Sequence, residues 1–165
     1  MKQKSLHIHY QVFKSADELD NELQLLTEAA KNSMHRAYAP YSEFRVGAAL
    51  LLDDNSIVEG NNQENAAYPS GLCAERVALF YAGAQFPNKK VKAVAVIAHS
   101  EKLHKFDDVV SPCGACRQVM LETQSRQKEN IQIILISVKG NGVIFESVED
   151  LLPFFFDSSS LLSES

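Results

Sequence analysis

The sequence predicts an α/β domain in which helices cover a sheet, and three observations carry that prediction. Residues 45–52, 91–98 and 131–138 form nearly continuous apolar runs rather than alternating ones, as strands buried on both faces require. Segments with helical spacing lie between the strand-like runs, which is the order of a layered α/β chain. Finally, 165 residues make one domain the default. A chain of that length buries roughly 68–70% of its unfolded surface and needs no disulfide scaffold.

Each element follows from local chemistry. Ile8, Tyr10 and Val12 alternate with His7, His9 and Gln11, which predicts a short half-buried strand. Ser15 and Glu18 fit a capping box, and Leu19, Leu23, Leu26, Ala30, Met34 and Ala37 recur at helical spacing until Pro40 forbids continuation. That first helix is expected to break near Asp20. The run 45–52, the turn residues Asp53, Asp54 and Asn55, and the extended stretch 56–59 before Gly60 predict a β-hairpin. After an irregular stretch, a helix begins near Cys73 and ends at Pro87. Its centre, residues 77–82, is apolar on every side, so a chain this small buries it fully only against another subunit. A strand at 91–98, a polar loop, a helix at 113–124 and a strand at 131–138 follow. Lys139, Gly140, Asn141 and Gly142 then join two strand-like runs, and four residues cannot make the crossover that parallel neighbours need. Residues 131–138 and 143–147 are therefore expected to form an antiparallel hairpin. The end, DSSSLLSES over 157–165, reads as a terminal arm.

Composition excludes several classes of function. With 16 Lys+Arg against 21 Asp+Glu and a net charge of -5, the chain lacks the basic excess that drives binding to a phosphate backbone. The N-terminal MKQKSLHIHYQVF has no apolar signal core, and no run approaches the ~18 apolar residues of a membrane span. A cytoplasmic location is the expectation. Thiols stay reduced there, so Cys73, Cys113 and Cys116 are to be read as ligands, catalysts or core filler before disulfides.

Cys113 and Cys116 form a Cys-x-x-Cys pair, by itself a weak signal that reads as a redox couple, half of a structural zinc site or two buried thiols. Both cysteine segments fall at predicted helix N-termini, where free N–H groups and the helix dipole favour thiolate. Three cysteines leave a tetrahedral zinc with one open position, the pattern of catalytic rather than structural sites. His99 or His104 in the intervening loop would close the site and make it structural. Glu75, two residues after Cys73, sets a proton acceptor beside the metal; its plainer reading is an acid that complements the helix dipole. Arg76 either donates to the zinc-bound sulfurs, offsetting the excess charge of three thiolates on one dication, or is a surface arginine. His7 and His9 share one strand face and read as exposed polar residues before they read as metal ligands.

CAER at 73–76 and SPCGACRQVM at 111–120 resemble the two zinc motifs of the small homotetrameric cytidine deaminases. The resemblance extends through AYAPYSEFRVGAALL at 37–51, GNNQENAAYPSG at 60–71 and DLLPFFF at 150–156. It covers residues 28–156, leaving 1–27 as an N-terminal extension holding the short strand and the start of the first helix, and 157–165 as a tail. It implies a three-layer α/β/α fold with a mixed five-stranded sheet and the C-terminal antiparallel hairpin. It also implies one Zn2+ per chain held by Cys73, Cys113 and Cys116, with Glu75 as the proton shuttle. Asn62 and Glu64 would hydrogen-bond the ribose hydroxyls, Phe44 would pack against the nucleoside, the Ala74 N–H would meet the pyrimidine O2, and the Ser111 carbonyl would hold the amino group. Arg76 would tune the zinc thiolates. Tyr68 and Phe156 would act across a subunit boundary, although Phe154, Phe155 and Phe156 are consecutive and any of them suits interface packing.

The implied activity is hydrolytic deamination of cytidine and deoxycytidine to uridine and deoxyuridine plus ammonia, in pyrimidine salvage. No nucleic-acid polymer and no membrane enters this reading. A polynucleotide deaminase would place a helix between the last two strands, for which residues 139–142 leave no room, and would carry a histidine at position 73. A blasticidin-type deaminase fits the NQEN segment less well. A zinc-binding interaction module without activity is the alternative of a different class.

Overall fold

The computed structural model describes residues 1–100 and 108–161. Its strands are β1 (Gln11–Phe13), β2 (Phe44–Leu52), β3 (Ile57–Asn61), β4 (Val91–Ser100), β5 (Gln132–Ile136) and β6 (Gly142–Phe145), with helices α1 (Asn21–His35), α2 (Ala74–Gln85) and α3 (Gly114–Gln127). All six strands join one mixed sheet in the order β1-β6-β5-β4-β2-β3, in which β4 and β5 are parallel and the other pairs antiparallel. Both predicted hairpins are present. No helix of the described residues is long and apolar enough to cross a membrane.

The continuous apolar runs are explained by two cores, one on each face of the sheet. Ala48, Leu50, Leu52, Val94, Val96, Ile133 and Leu135 face α2 and α3. The alternate residues, including Ala49, Leu51, Ala95, Ile97, Ile134 and Ile136, face α1. Period-two alternation is erased where both faces are dry, which leaves a three-layer α/β/α arrangement.

The N-terminal segment corrects the expectation of five strands. β1 adds a sixth at the sheet edge, pairing antiparallel with β6 so that Val12 lies opposite Val143. The strand is shorter and faces differently than its alternation predicts. Ile8, Tyr10 and Val12 are exposed, and Phe13 is the residue buried against the α1 layer. An edge strand offers a packed core under one side chain only where its neighbour extends beneath it, and β6 does so near Gly142. The Ser15–Glu18 capping box does form, but it closes a single 3-10 turn at Ala16–Glu18. Asp20 then caps α1 by accepting from the Leu23 N–H at 2.9 Å, so the break falls where it is expected and Ala37 lies beyond the helix.

Two glycines let the helices lie flush on the sheet. A Cβ at Gly47 would stand 2.0 Å from the Ala30 carbonyl oxygen of α1, and one at Gly60 would stand 2.5 Å from the Ala74 carbonyl oxygen of α2. These obstacles are backbone atoms, which cannot swing aside as a side chain can. Gly60→Ala is therefore expected to cost at least the ~1–3 kcal/mol of core overpacking, read as a lowered urea midpoint. An unchanged midpoint would mean that α2 can shift without loss.

Candidate active site and metal centre

The two helices of one face begin side by side. Cys73 is the N-cap of α2 and Cys113 the N-cap of α3, both in extended backbone geometry and neither using its sulfur to cap the helix. Three residues on, close to one helical turn, stand Arg76 on α2 and Cys116 on α3. The spacing turns each N-cap and third residue to the same side. Cys73 Sγ lies 3.9 Å from Cys113 Sγ, Cys113 Sγ lies 3.5 Å from Cys116 Sγ, and all three sulfurs fall within 4.8 Å of one another. Tetrahedral zinc with Zn–S bonds of ~2.3 Å has a sulfur–sulfur edge of about 3.8 Å. The donor set and its spacing therefore suit zinc. Among the described residues no histidine joins it: His99 sits on β4 opposite Arg45, and His104 lies outside the described residues.

The electrostatics suit thiolate ligation. The Cys73 thiol is held down to about 5, foremost by the Cys116 thiol and further by Arg76, against the opposing effect of partial burial. Cys116 is pushed the other way, by its hydrogen bond to Cys73 and by burial. Arg76 Nη2 donates to Cys73 Sγ at 3.4 Å, while its buried Nε has no partner among the described residues. Glu75, in the first turn of α2, is 4% exposed, and burial raises its carboxyl above the ordinary range.

Beside the sulfurs opens a cavity of about 660 Å³. Cys73, Glu75, Arg76 and Cys113 line it, together with Asn62, Glu64, Ser42 and Tyr41. Phe44, Tyr68 and Ser111 lie along its walls, with Val46 and Val96 of the sheet contributing apolar surface. Asn62 is already tied to β2: its Oδ1 accepts from the Val46 N–H at 2.8 Å and its Nδ2 donates to the Phe44 carbonyl at 2.9 Å. One amide hydrogen and one oxygen lone pair remain for a ligand. Glu64 accepts from the Tyr41 N–H at 2.9 Å, from the Ser42 N–H at 3.3 Å and from the Ser42 hydroxyl.

A family model described as the cytidine and deoxycytidylate deaminase zinc-binding region matches residues 20–131, a span that contains all three cysteines and Glu75. The chain belongs to that deaminase family. It is 48% identical to a cytidine deaminase of Halalkalibacterium halodurans over 138 residues, which cover 84% of this chain and 96% of the relative. A cytidine deaminase of Sporosarcina psychrophila is 39% identical over 140 residues, 85% of this chain and 95% of the relative. The crystal structure of cytidine deaminase from Burkholderia pseudomallei superposes with a TM-score of 0.68 at 41% identity, covering 80% of this chain and 97% of that one.

Among the residues that the deaminase resemblance singles out, Ala74, Cys116 and Phe156 lie outside the described cavity lining. Ala74 and Cys116 are fully buried beneath it. Gln118 Nε2 of α3 donates to the Phe156 carbonyl at 2.9 Å, and Phe154, Phe155 and Phe156 are all exposed in the single chain. Tyr68 is largely exposed and lines its own chain's cavity. Sequence reasoning missed two contributors. Ser42 lies inside the quoted AYAPYSEF motif but carries no signal beyond a small polar side chain ahead of a strand. Arg117 donates from Nε to the Pro112 carbonyl at 2.8 Å and from Nη1 to the Leu151 carbonyl at 2.6 Å, tying the loop before Cys113 to the C-terminal segment. Only its place next to a ligand hints at that.

Proposed function

We propose that this protein is a cytoplasmic, homotetrameric cytidine deaminase that converts cytidine and deoxycytidine to uridine and deoxyuridine with release of ammonia, serving pyrimidine salvage. The observation that carries the reading is the three-thiolate cluster with buried Glu75 at a nucleoside-sized cavity. Residues 28–156 form the catalytic unit, with 1–27 as an extension and 157–165 as a tail.

Cys73, Cys113 and Cys116 would hold a zinc ion, whose Lewis acidity would bring the pKa of a water molecule close to neutrality. Glu75 takes a proton from the attacking water and delivers it to ring N3, making C4 electrophilic. The water oxygen bonds to C4, and Glu75 then carries its remaining proton to the amino nitrogen, which the Ser111 carbonyl orients, as the C4–N bond breaks to release ammonia and C4=O forms. Phe44 packs against the base, the Ala74 N–H meets O2, and Asn62 with Glu64 holds the sugar. Arg76 withdraws electron density from the Cys73 sulfur. Tyr68 and Phe156 complete neighbouring pockets across subunit boundaries. Half-exposed Phe80 and Tyr81 on α2 support such packing, since an otherwise apolar helix leaves them uncovered in one chain.

The cavity favours a neutral nucleoside over a nucleotide. Arg76 is the one basic side chain among its described lining residues, and it donates to Cys73, while Glu64 places negative charge at the sugar end. Zinc content measured alongside ammonia release tests the reading directly. About one zinc per chain, with ammonia from cytidine and deoxycytidine but not from dCMP or cytosine, is the expected result. Activity confined to dCMP would replace the nucleoside assignment with a nucleotide one, and zinc without ammonia from any substrate would leave a binding module.

A further inference from the structure

The sugar end of the cavity is organised by a residue that touches no reacting atom. The Ser42 hydroxyl accepts the Phe44 N–H at 3.0 Å and donates to Glu64 Oε1, while the Ser42 and Tyr41 N–H groups both reach Glu64 Oε2. Glu43, between Ser42 and Phe44, has φ 55°, a left-handed conformation that lets the hydroxyl fold back on the following N–H. The aromatic that lines the wall and the carboxylate at the sugar end are thus joined through one hydroxyl.

A carboxylate offers about four acceptor positions, and three of those on Glu64 are occupied from within the protein. One remains, on the oxygen that Ser42 holds. Desolvation alone would raise the Glu64 carboxyl, but the hydrogen bonds from Ser42 and Tyr41 outweigh it and keep the group ionised, an acceptor only. Asn62, fixed at both ends, has one donor left. A single sugar hydroxyl can satisfy both, donating to Glu64 and accepting from Asn62.

We propose that Ser42 is a positioning residue for sugar recognition, aligning Glu64 so that its last acceptor position meets one hydroxyl of the nucleoside. The inference rests on the deaminase reading and deepens it. The test compares wild type, Ser42→Ala and Ser42→Thr on cytidine, 2′-deoxycytidine, 3′-deoxycytidine and 2′,3′-dideoxycytidine, reading kcat and KM, or the inhibition constant for an analogue too slow to turn over. Ser42→Ala is expected to raise KM about tenfold for substrates carrying the recognised hydroxyl, as loss of a hydrogen bond to a charged group does, with kcat within about twofold. Dideoxycytidine should bind both proteins equally, and Ser42→Thr should restore the wild-type KM. An equal loss on all four substrates would reduce Ser42 to a structural residue, and no change on any would remove it from recognition; either result overturns the proposal. A wild-type protein that turns over none of them overturns the deaminase reading itself, and this inference with it.

Discussion

Glu75→Gln is expected to bind zinc, keep its thermal midpoint and lose at least the ~10²–10⁴-fold in turnover of cytidine that general acid–base catalysis supplies. The amide has the shape of the carboxyl but cannot take a proton from water or return one to nitrogen. Position matters as much as chemistry. Glu75 is the second residue of α2, one turn short of regular hydrogen bonding, so it shares the site with the N-cap Cys73 rather than pointing away as an i, i+2 residue in mid-helix does. Its burial raises the carboxyl above its ordinary value, which makes it readier to hold a proton than an exposed glutamate is. Near-normal turnover, with zinc content unchanged, would remove Glu75 from proton transfer.

Cys116→Ala is expected to have the larger effect on the protein as a whole. The sulfur is wholly buried under the cavity, and it is the ligand that α3 contributes from within its first turn. Outer partners of a metal ligand are worth 10–100-fold in affinity, so loss of the ligand itself should reduce zinc affinity by at least ~100-fold, with activity falling in step. The metal also ties α2 to α3 across the forty residues between Cys73 and Cys113, so its loss is a loss of folding free energy. Chelator should lower the thermal midpoint of the wild-type protein and leave that of Cys116→Ala unmoved. Stoichiometric zinc in the variant would mean that the ligand set is other than these three thiolates.

The hairpins, the layered fold and the metal centre are legible in the sequence because each rests on a local rule. Continuous apolar runs report sheets covered twice, the short link at 139–142 permits only an antiparallel turn, and the Cys-x-x-Cys spacing matches a helical turn beginning at its cap. What escapes is set by partners distant along the chain. The side of β1 that is buried depends on β6, some 130 residues away, and alternation in an edge strand cannot say which face meets the core. The same holds at the site. Asn62 and Glu64 stand out as polar residues in an irregular stretch, yet the groups that fix them, Val46, Phe44 and Ser42, belong to β2 and its approach, a hairpin earlier in the chain. The aromatic run 154–156 is legible as a cluster, but its orientation follows from the grip of Arg117 and Gln118 on the neighbouring carbonyls, which no periodicity encodes.

The pairing of β1 with β6 has a consequence for solution behaviour. β1 lies outside the region matched by the family model, and without it β6 would be the terminal strand of the sheet, presenting unpaired N–H and C=O groups along Gly142–Phe145. Open edges of that kind recruit strands from other molecules. β1 covers that edge against strand pairing with other molecules, and a chain shortened to begin after Phe13 is expected to lose solubility on concentration.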